Sequence, residues 1–155
     1  MSESLLPQYF AQSIQVIPGN EINLFTADSI HLFTQNEFSV HLQKNRMAYV
    51  IENAMLERIS SEELSSVTVQ KGTIQVTPNS TLYLLMSDCQ TLGGYPRIGQ
   101  IAAVDLPIIA QMTRSRAFQF NWIKVEEAVE QLRKRQKELE YLQLTLENKF
   151  LTYSQ

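Results

Sequence analysis

The sequence predicts a mainly β fold with helices: a small barrel or sandwich followed by one long C-terminal α-helix. Two patterns carry this expectation. Between residues 13 and 123 the chain breaks into short alternating or β-branched runs, separated by Gly, Pro and Asn turns. From Val125 the apolar period becomes helical, with Glu and Lys between the apolar positions. The boundary is therefore expected between a barrel over residues 1–124 and a helix over residues 125–155.

Residues 13–17 alternate polar and apolar side chains and end in Pro18-Gly19-Asn20, a strand followed by a turn. Asp28 is expected to cap a short helix over residues 29–33, accepting from first-turn N–H groups. Residues 37–42 alternate again, which assigns Phe38, Val40 and Leu42 to one face, and residues 47–51 have the bias of a buried strand. Short strands are expected at 67–69, 73–76 and 82–86, with a bend at Gly72 and a turn at Pro78-Asn79. Gly93-Gly94-Tyr95-Pro96 punctuates the chain again. A strand over 100–104 precedes Asp105, which sits where an N-cap belongs, and Pro107 opens a helix through Gln111. The last strand candidate covers 117–123.

In the long helix, Val125, Ala128, Leu132, Leu139, Leu142 and Leu146 fall close to heptad spacing, interrupted by Arg135. The first expectation is a surface helix packed on its own barrel. The alternative is a helix that reaches past the barrel to a partner or makes an oligomer.

Bulk properties narrow the function classes. The 155 residues suit one domain, and 44% apolar with 19% charged residues is globular composition. A net charge of −3 gives no pull toward nucleic acid or an anionic membrane face. The basic run at 133–137 alternates with acids at helical spacing and reads as a solvated face. Cys89 is the single cysteine, which excludes an internal disulfide and a thiolate cluster. No apolar run has the roughly 18 residues of a spanning helix, and residues 1–4 lack signal-peptide order, so a cytoplasmic protein is expected. His31 and His41 stand ten apart without paired ligands, so no metal is assigned.

The richest stretch is residues 88–97. Asp88, Gln90, Thr91, Tyr95 and Arg97 supply a carboxylate, an amide, a hydroxyl, a phenol and a cation around Gly93-Gly94. Adjacent glycines are expected to adopt positive φ and to let a ligand approach main-chain N–H groups. Such a set suits a small amide, carboxylate or bicarbonate-like group, although a tight hairpin without a ligand has the same composition. It is not a P-loop, because no Gly-Lys-Ser/Thr follows. Cys89 has no neighbouring His to activate it and reads as an idle thiol.

These residues also resemble a known family. Asp88 through Ile98 is similar to the signature Asp-Arg-Gln-Thr-Thr-Gly-Gly-Tyr-Pro-Lys-Ile of the allophanate hydrolase subunit 2, 5-oxoprolinase C-subunit and KipA proteins, which include biotin-dependent carboxyltransferase domains. Val16-Ile17-Pro18-Gly19, Arg46-Met47-Ala48-Tyr49, residues 72–78 and Asp105-Leu106-Pro107 with Ala110-Gln111 resemble further family blocks in the same order. The resemblance implies a cyclophilin-like β-barrel, the second of two lobes. It also implies a complex acting on a small cyclic amide or urea-like substrate, by ATP-dependent amide hydrolysis or carboxyl transfer. Partners similar to the A and B subunits of 5-oxoprolinase, the latter KipI-like, and a first lobe would complete it. ATP through the complex, or biotin, would be the cofactor.

On this reading Asp88, Arg97 and Tyr95 are catalytic, and Arg46, Gln75, Gln90, Thr91, Gly93 and Gly94 bind substrate. The arginines would hold a carboxylate or oxyanion, and Asp88, Gln75 and Gln90 would orient the amide. Asp88, Tyr95 and Arg97 are expected to meet at one pocket on the edge of the barrel. The sequence departs from the family at Lys44-Asn45 (Ser-Asp in the family), Ala48 (Gly), Cys89 (Arg) and residues 112–115 (a Pro-Gly turn). The lost acid favours the alternative, a non-catalytic regulatory module that binds a KipI-like partner.

Overall fold

The computed structural model describes residues 12–42, 44–60 and 64–153. The reading of residues 1–4 therefore falls outside the described residues, as do the last two of the helix. Among those described, β1 (Ser13–Pro18), β2 (Ser39–Val40), β3 (Ala48–Glu52), β5 (Thr73–Val76), β6 (Leu82–Leu85), β8 (Arg97–Ile101) and β9 (Gln119–Trp122) form one sheet. Its order is β2-β3-β6-β5-β8-β1-β9. A two-stranded ribbon, β4 (Val67–Thr68) with β7 (Leu92–Gly93), is separate from it. Three helices complete the fold: α1 (Ala27–Gln35), α2 (Leu106–Ala110) and α3 (Val125–Tyr153). This is the expected mainly β body with a long C-terminal helix.

The sheet is antiparallel except where β1 and β9 run parallel, from Ser13 opposite Gln119 to Val16 opposite Trp122. Its two edges meet between Phe38 and Phe118, whose N–H groups donate to each other's carbonyls at 2.8 and 2.9 Å. Curling the sheet until its edges touch removes free N–H and C=O groups from those edges. The inward residues follow the period of two. Ile14 and Val16 of β1, and Ile74 and Val76 of β5, are fully buried. Phe33 from α1 enters the same core, stacked on Phe120 at 4.6 Å between ring centroids, beside Phe38 and Trp122.

Several local expectations change for physical reasons. Helix α1 begins earlier than expected because Thr26, not Asp28, caps it, its Oγ1 accepting from Ser29 N–H at 3.2 Å. Phe38 and Val40 are buried, but Leu42 is 69% exposed, because β2 ends at Val40. The strand expected at 100–104 is β8, three residues earlier, and Ala102 already turns off toward α2. Asp105 holds the N-cap position of α2 without a side-chain cap. Its Oδ2 instead accepts from Gln15 N–H at 2.7 Å, fastening the β8–α2 turn to β1. The bend at Gly72 is confirmed by a φ of +89°, a conformation that glycine adopts without strain.

Helix α3 departs furthest from the first expectation. Its first turn packs on the barrel, where Ala128 is buried with Ala102 and Ile123. Beyond it no residue of α3 through Lys149 is buried. The helix leaves the body instead of lying along it.

Candidate functional site

Strand β5 supplies the first site residue. Ile74 and Val76 point into the barrel, so Thr73 and Gln75 point outward, yet Gln75 is only 1% exposed. The β4–β7 ribbon covers it. Gln75 Nε2 donates to the Tyr95 carbonyl at 3.2 Å, and a Cβ on Gly93 would lie 2.5 Å from that nitrogen. Gly93 thus lies in close approach to the Gln75 amide, which a Cβ would have to displace, and not at positive φ, which among the described glycines occurs only at Gly72. The twin glycines were read as a bend that lets a ligand approach main-chain N–H groups, or as a tight hairpin loop without a ligand. Leu92 and Gly93 instead pair with Val67 and Thr68 as a strand, and Val69 N–H donates to Thr91 O at 3.0 Å.

Arg97 opens β8 beside Gln75. Its Nε donates to Glu21 Oε2 at 2.6 Å, its terminal nitrogen reaches Glu21 Oε1, and its backbone N–H donates to Oε2 at 3.2 Å. A further guanidinium N–H donates to Thr68 O at 3.3 Å. The hydrogen bonds from Arg97 hold the Glu21 carboxyl below its usual range, against a smaller opposing effect of burial. Glu21 in turn pushes Arg97 further toward its charged form. The pair therefore ties the 18–21 turn, β8 and the ribbon together at one point. Next to it lies an open cleft of about 330 Å³, whose polar lining comes from Asn20, Thr68, Gln70, Thr73, Arg97 and Gln100.

Arg46 and Asp88 form a second, separate pair. Nε donates to Oδ2 at 2.9 Å and a terminal nitrogen to Oδ1 at 3.2 Å, and the Asp88 N–H donates to Arg46 O. With side chains 84% and 45% exposed, the pair adds little stability. It lies beyond the Ala48–Leu85 end of β3 and β6, whereas Arg97 lies toward the end where Val76 pairs with Leu82. Asp88, Tyr95 and Arg97 were expected to meet at one pocket, and they do not: residues 89–96 carry the chain from one end of the sheet to the other. Tyr95 has its carbonyl bonded to Gln75 and its side chain 47% exposed, and Gln90 and Thr91 are exposed.

The departures near Arg46 have structural uses. Asn45 Oδ1 accepts from the N–H groups of Met47 and Ala48 at 2.9 and 3.0 Å, which fixes the entry to β3. Lys44 Nζ donates to Met112 O at 2.6 Å and lies 4.9 Å from the Tyr49 ring centroid. Two departing positions, 44 and 112, thus bond to each other. Tyr49 OH donates to Ala110 O at 3.1 Å, and burial raises its pKa. Glu21 was missed from sequence; the available signal was that it is the only acid in the turn after Pro18-Gly19. Among the described residues no group of three metal-ligating side chains occurs.

Residues 1–122 match the family described as carboxyltransferase domain, subdomain A and B. The chain belongs to this family. It is 33% identical over 135 residues to the 5-oxoprolinase C subunit of Escherichia coli (strain K12), covering 87% of this chain and 44% of that protein. The Haemophilus influenzae 5-oxoprolinase C subunit is 29% identical over 136 residues, covering 88% and 44%. The chain spans less than half the length of these relatives. The K. lactis urea amidolyase structure superposes with a TM-score of 0.81 at 21% identity, over 90% of this chain and 9% of that one. As a carboxyltransferase-family chain, it carries Gln75, the Arg97–Glu21 and Arg46–Asp88 pairs and all of the cleft lining but Val125 within the matched residues, and α3 outside them.

Proposed function

We propose that this chain is one lobe of a subunit in a complex of the 5-oxoprolinase or urea-carboxylase kind, acting on a small cyclic amide or urea-like substrate. The observation that carries this reading is the cleft beside Arg97. Its polar lining is amide, hydroxyl and guanidinium set among Ile17, Pro18, Val69 and Val125, which suits a small amide with an apolar body, and its open side is suited to closure by another lobe. Gly93 is held in a strand pair, and no Lys-Ser/Thr follows the glycines, so the segment does not form a phosphate cradle. ATP, where the complex uses it, is assigned to a partner protein.

Within this reading Arg97 is a positioning residue. Glu21 takes the edge of its guanidinium formed by Nε and one terminal nitrogen, and the Thr68 carbonyl takes an N–H of the other terminal nitrogen, so Arg97 acts by fixing the wall of the cleft. Small displacements of such a wall cost turnover steeply. The test is reconstitution with the first lobe and with the A-like and B-like partners, followed by ATP-dependent opening of 5-oxoproline. Arg97→Ala should lower turnover at least about tenfold, and Glu21→Ala by a similar factor, with folding checked by Trp122 fluorescence. Unchanged turnover in both removes the pair from the site.

The second reading, an interaction module for a KipI-like partner, is favoured by the projection of α3 from the barrel. A pull-down that recovers a kinase-regulator protein, and no nucleotide-dependent ring-opening activity, supports it.

A further inference from the structure

Helix α3 has 29 residues, about 43 Å at 1.5 Å per residue, and lies outside the family-matched part of the chain. The side that touches the barrel is defined by Ala128, which is buried, and by Gln131, whose Nε2 donates to Gln15 Oε1 at 2.9 Å. About a quarter-turn around the helix runs a different stripe: Val125, Val129, Leu132, Leu139 and Leu146. Each is exposed, by 53, 39, 45, 48 and 45% respectively. Isolated exposed apolar residues are ordinary, but five on one face of a projecting helix are not.

This stripe has a heptad register that Ala128 obscures in the sequence. With Ala128 assigned to the barrel, Val125, Leu132, Leu139 and Leu146 occupy d, and Val129, Gln136 and Gln143 occupy a. Arg135 then no longer interrupts the seam. It falls at g, and Glu140 falls at the following e. Leu at d at 132, 139 and 146, with the β-branched Val129 at a, is the two-stranded pattern, and Gln136 and Gln143 place polar groups at the next two a positions; the last d is Tyr153. In a parallel, in-register pair of identical helices, Arg135 of one copy faces Glu140 of the other, twice by symmetry. No like-charged g–e contact arises, since the other g residues are Ala128, Leu142 and Lys149, and the e position that follows Lys149 is a serine in the sequence.

We infer that α3 is the dimerisation element of this protein, pairing with α3 of a second copy as a parallel two-stranded coiled coil that projects from the two barrels. The inference does not rest on the proposed function, because α3 contributes nothing to the cleft beyond Val125.

Sedimentation equilibrium of the full chain tests it. The mass should rise with concentration from 17.8 kDa to twice that value and no further. Leu132→Lys with Leu139→Lys should hold the chain at the monomer mass while Trp122 fluorescence still reports a folded barrel. Arg135→Glu should weaken the dimer about fivefold, and adding Glu140→Arg should restore it. In a Cys89→Ser background, Leu132→Cys and Leu146→Cys should each cross-link to themselves on oxidation, as an antiparallel pair centred on Leu139 would not. The inference is overturned by a folded wild-type chain that stays monomeric, by a dimer indifferent to the two lysines, by failure of both cysteines to cross-link, or by a larger assembly. A chain monomeric alone, whose α3 is covered by a co-purified partner, overturns it equally.

Discussion

Glu21 and Arg97 are joined by three N–H···O contacts across 76 residues of sequence, so a double-mutant cycle on them measures how firmly the cleft wall is held. Glu21→Met and Arg97→Met keep most of each apolar stem while removing the charge. With both side chains less than a fifth exposed, each single change strands a partly buried charge. The charge-assisted bonds are offset by desolvation, so each single variant should lose about 2–3 kcal/mol, and the coupling should come to about 1–3 kcal/mol. For a chain of this length each kcal/mol moves the midpoint by about 2–4 °C. Because the Glu21 pKa is lowered on folding, its contribution is present above the unfolded value near ~4.3 and is lost as pH falls through the folded value. Urea unfolding of the four proteins at neutral pH, repeated toward the acid limit of folding, provides the readout. Coupling within the additivity error of about 0.5 kcal/mol would refute the argument. So would an Arg97→Met loss that stays undiminished in acid.

Asp105 has the opposite sign. Burial raises its pKa, so its contribution is full below the unfolded value near ~3.9 and is lost as pH rises through the folded value. Asp105→Asn keeps an acceptor for Gln15 N–H without ionising, and thermal melts should show it at least as stable as the parent at pH about 8, with a flatter profile. Gly93→Ala should cost about 1–3 kcal/mol, because its Cβ must displace Gln75 Nε2 from Tyr95 O. The same change in a Gln75→Ala background should cost measurably less in chemical denaturation, and an equal cost would show that the contact is not the cause.

Strand β5 was legible at both ends, since Ile74 and Val76 alternate between Gly72 and the turn at Pro78. The start of α3 was legible at Val125 because the period changes there. Strand β7 was not: Leu92-Gly93 has no alternation, and it is a strand only because Val67 and Thr68 lie beside it. Likewise β8 begins with Arg97 and contains Gly99, residues that local propensity steers away from strands. Pairing with β1 on one side and β5 on the other overrides that preference. The family blocks located Gln75, Tyr95 and Arg97, yet nothing in residues 88–97 showed that the cation is already satisfied. Its partner lies in a turn that only the folded sheet brings close.

Both arginines singled out by sequence end on a carboxylate, Arg46 on Asp88 and Arg97 on Glu21. A substrate carboxylate at Arg97 would have to displace Glu21 or compete with the Thr68 carbonyl. Around the cleft, Thr73 Oγ1 donates to Gln100 Oε1 at 2.9 Å, and Gln100 Nε2 donates to Lys71 O at 2.9 Å. The polar part of the lining is therefore neutral groups braced against one another beside the Arg97–Glu21 pair, with Ile17, Pro18, Val69 and Val125 making the rest. Under the proposed function such a wall would suit a neutral amide better than an anion, because a net-neutral ion pair projects little field while the hydroxyl and amides retain lone pairs for donors on the ligand. On that same proposal, the charge that amide chemistry develops would then have to be met from across the open side, which would be the physical reason for a second lobe.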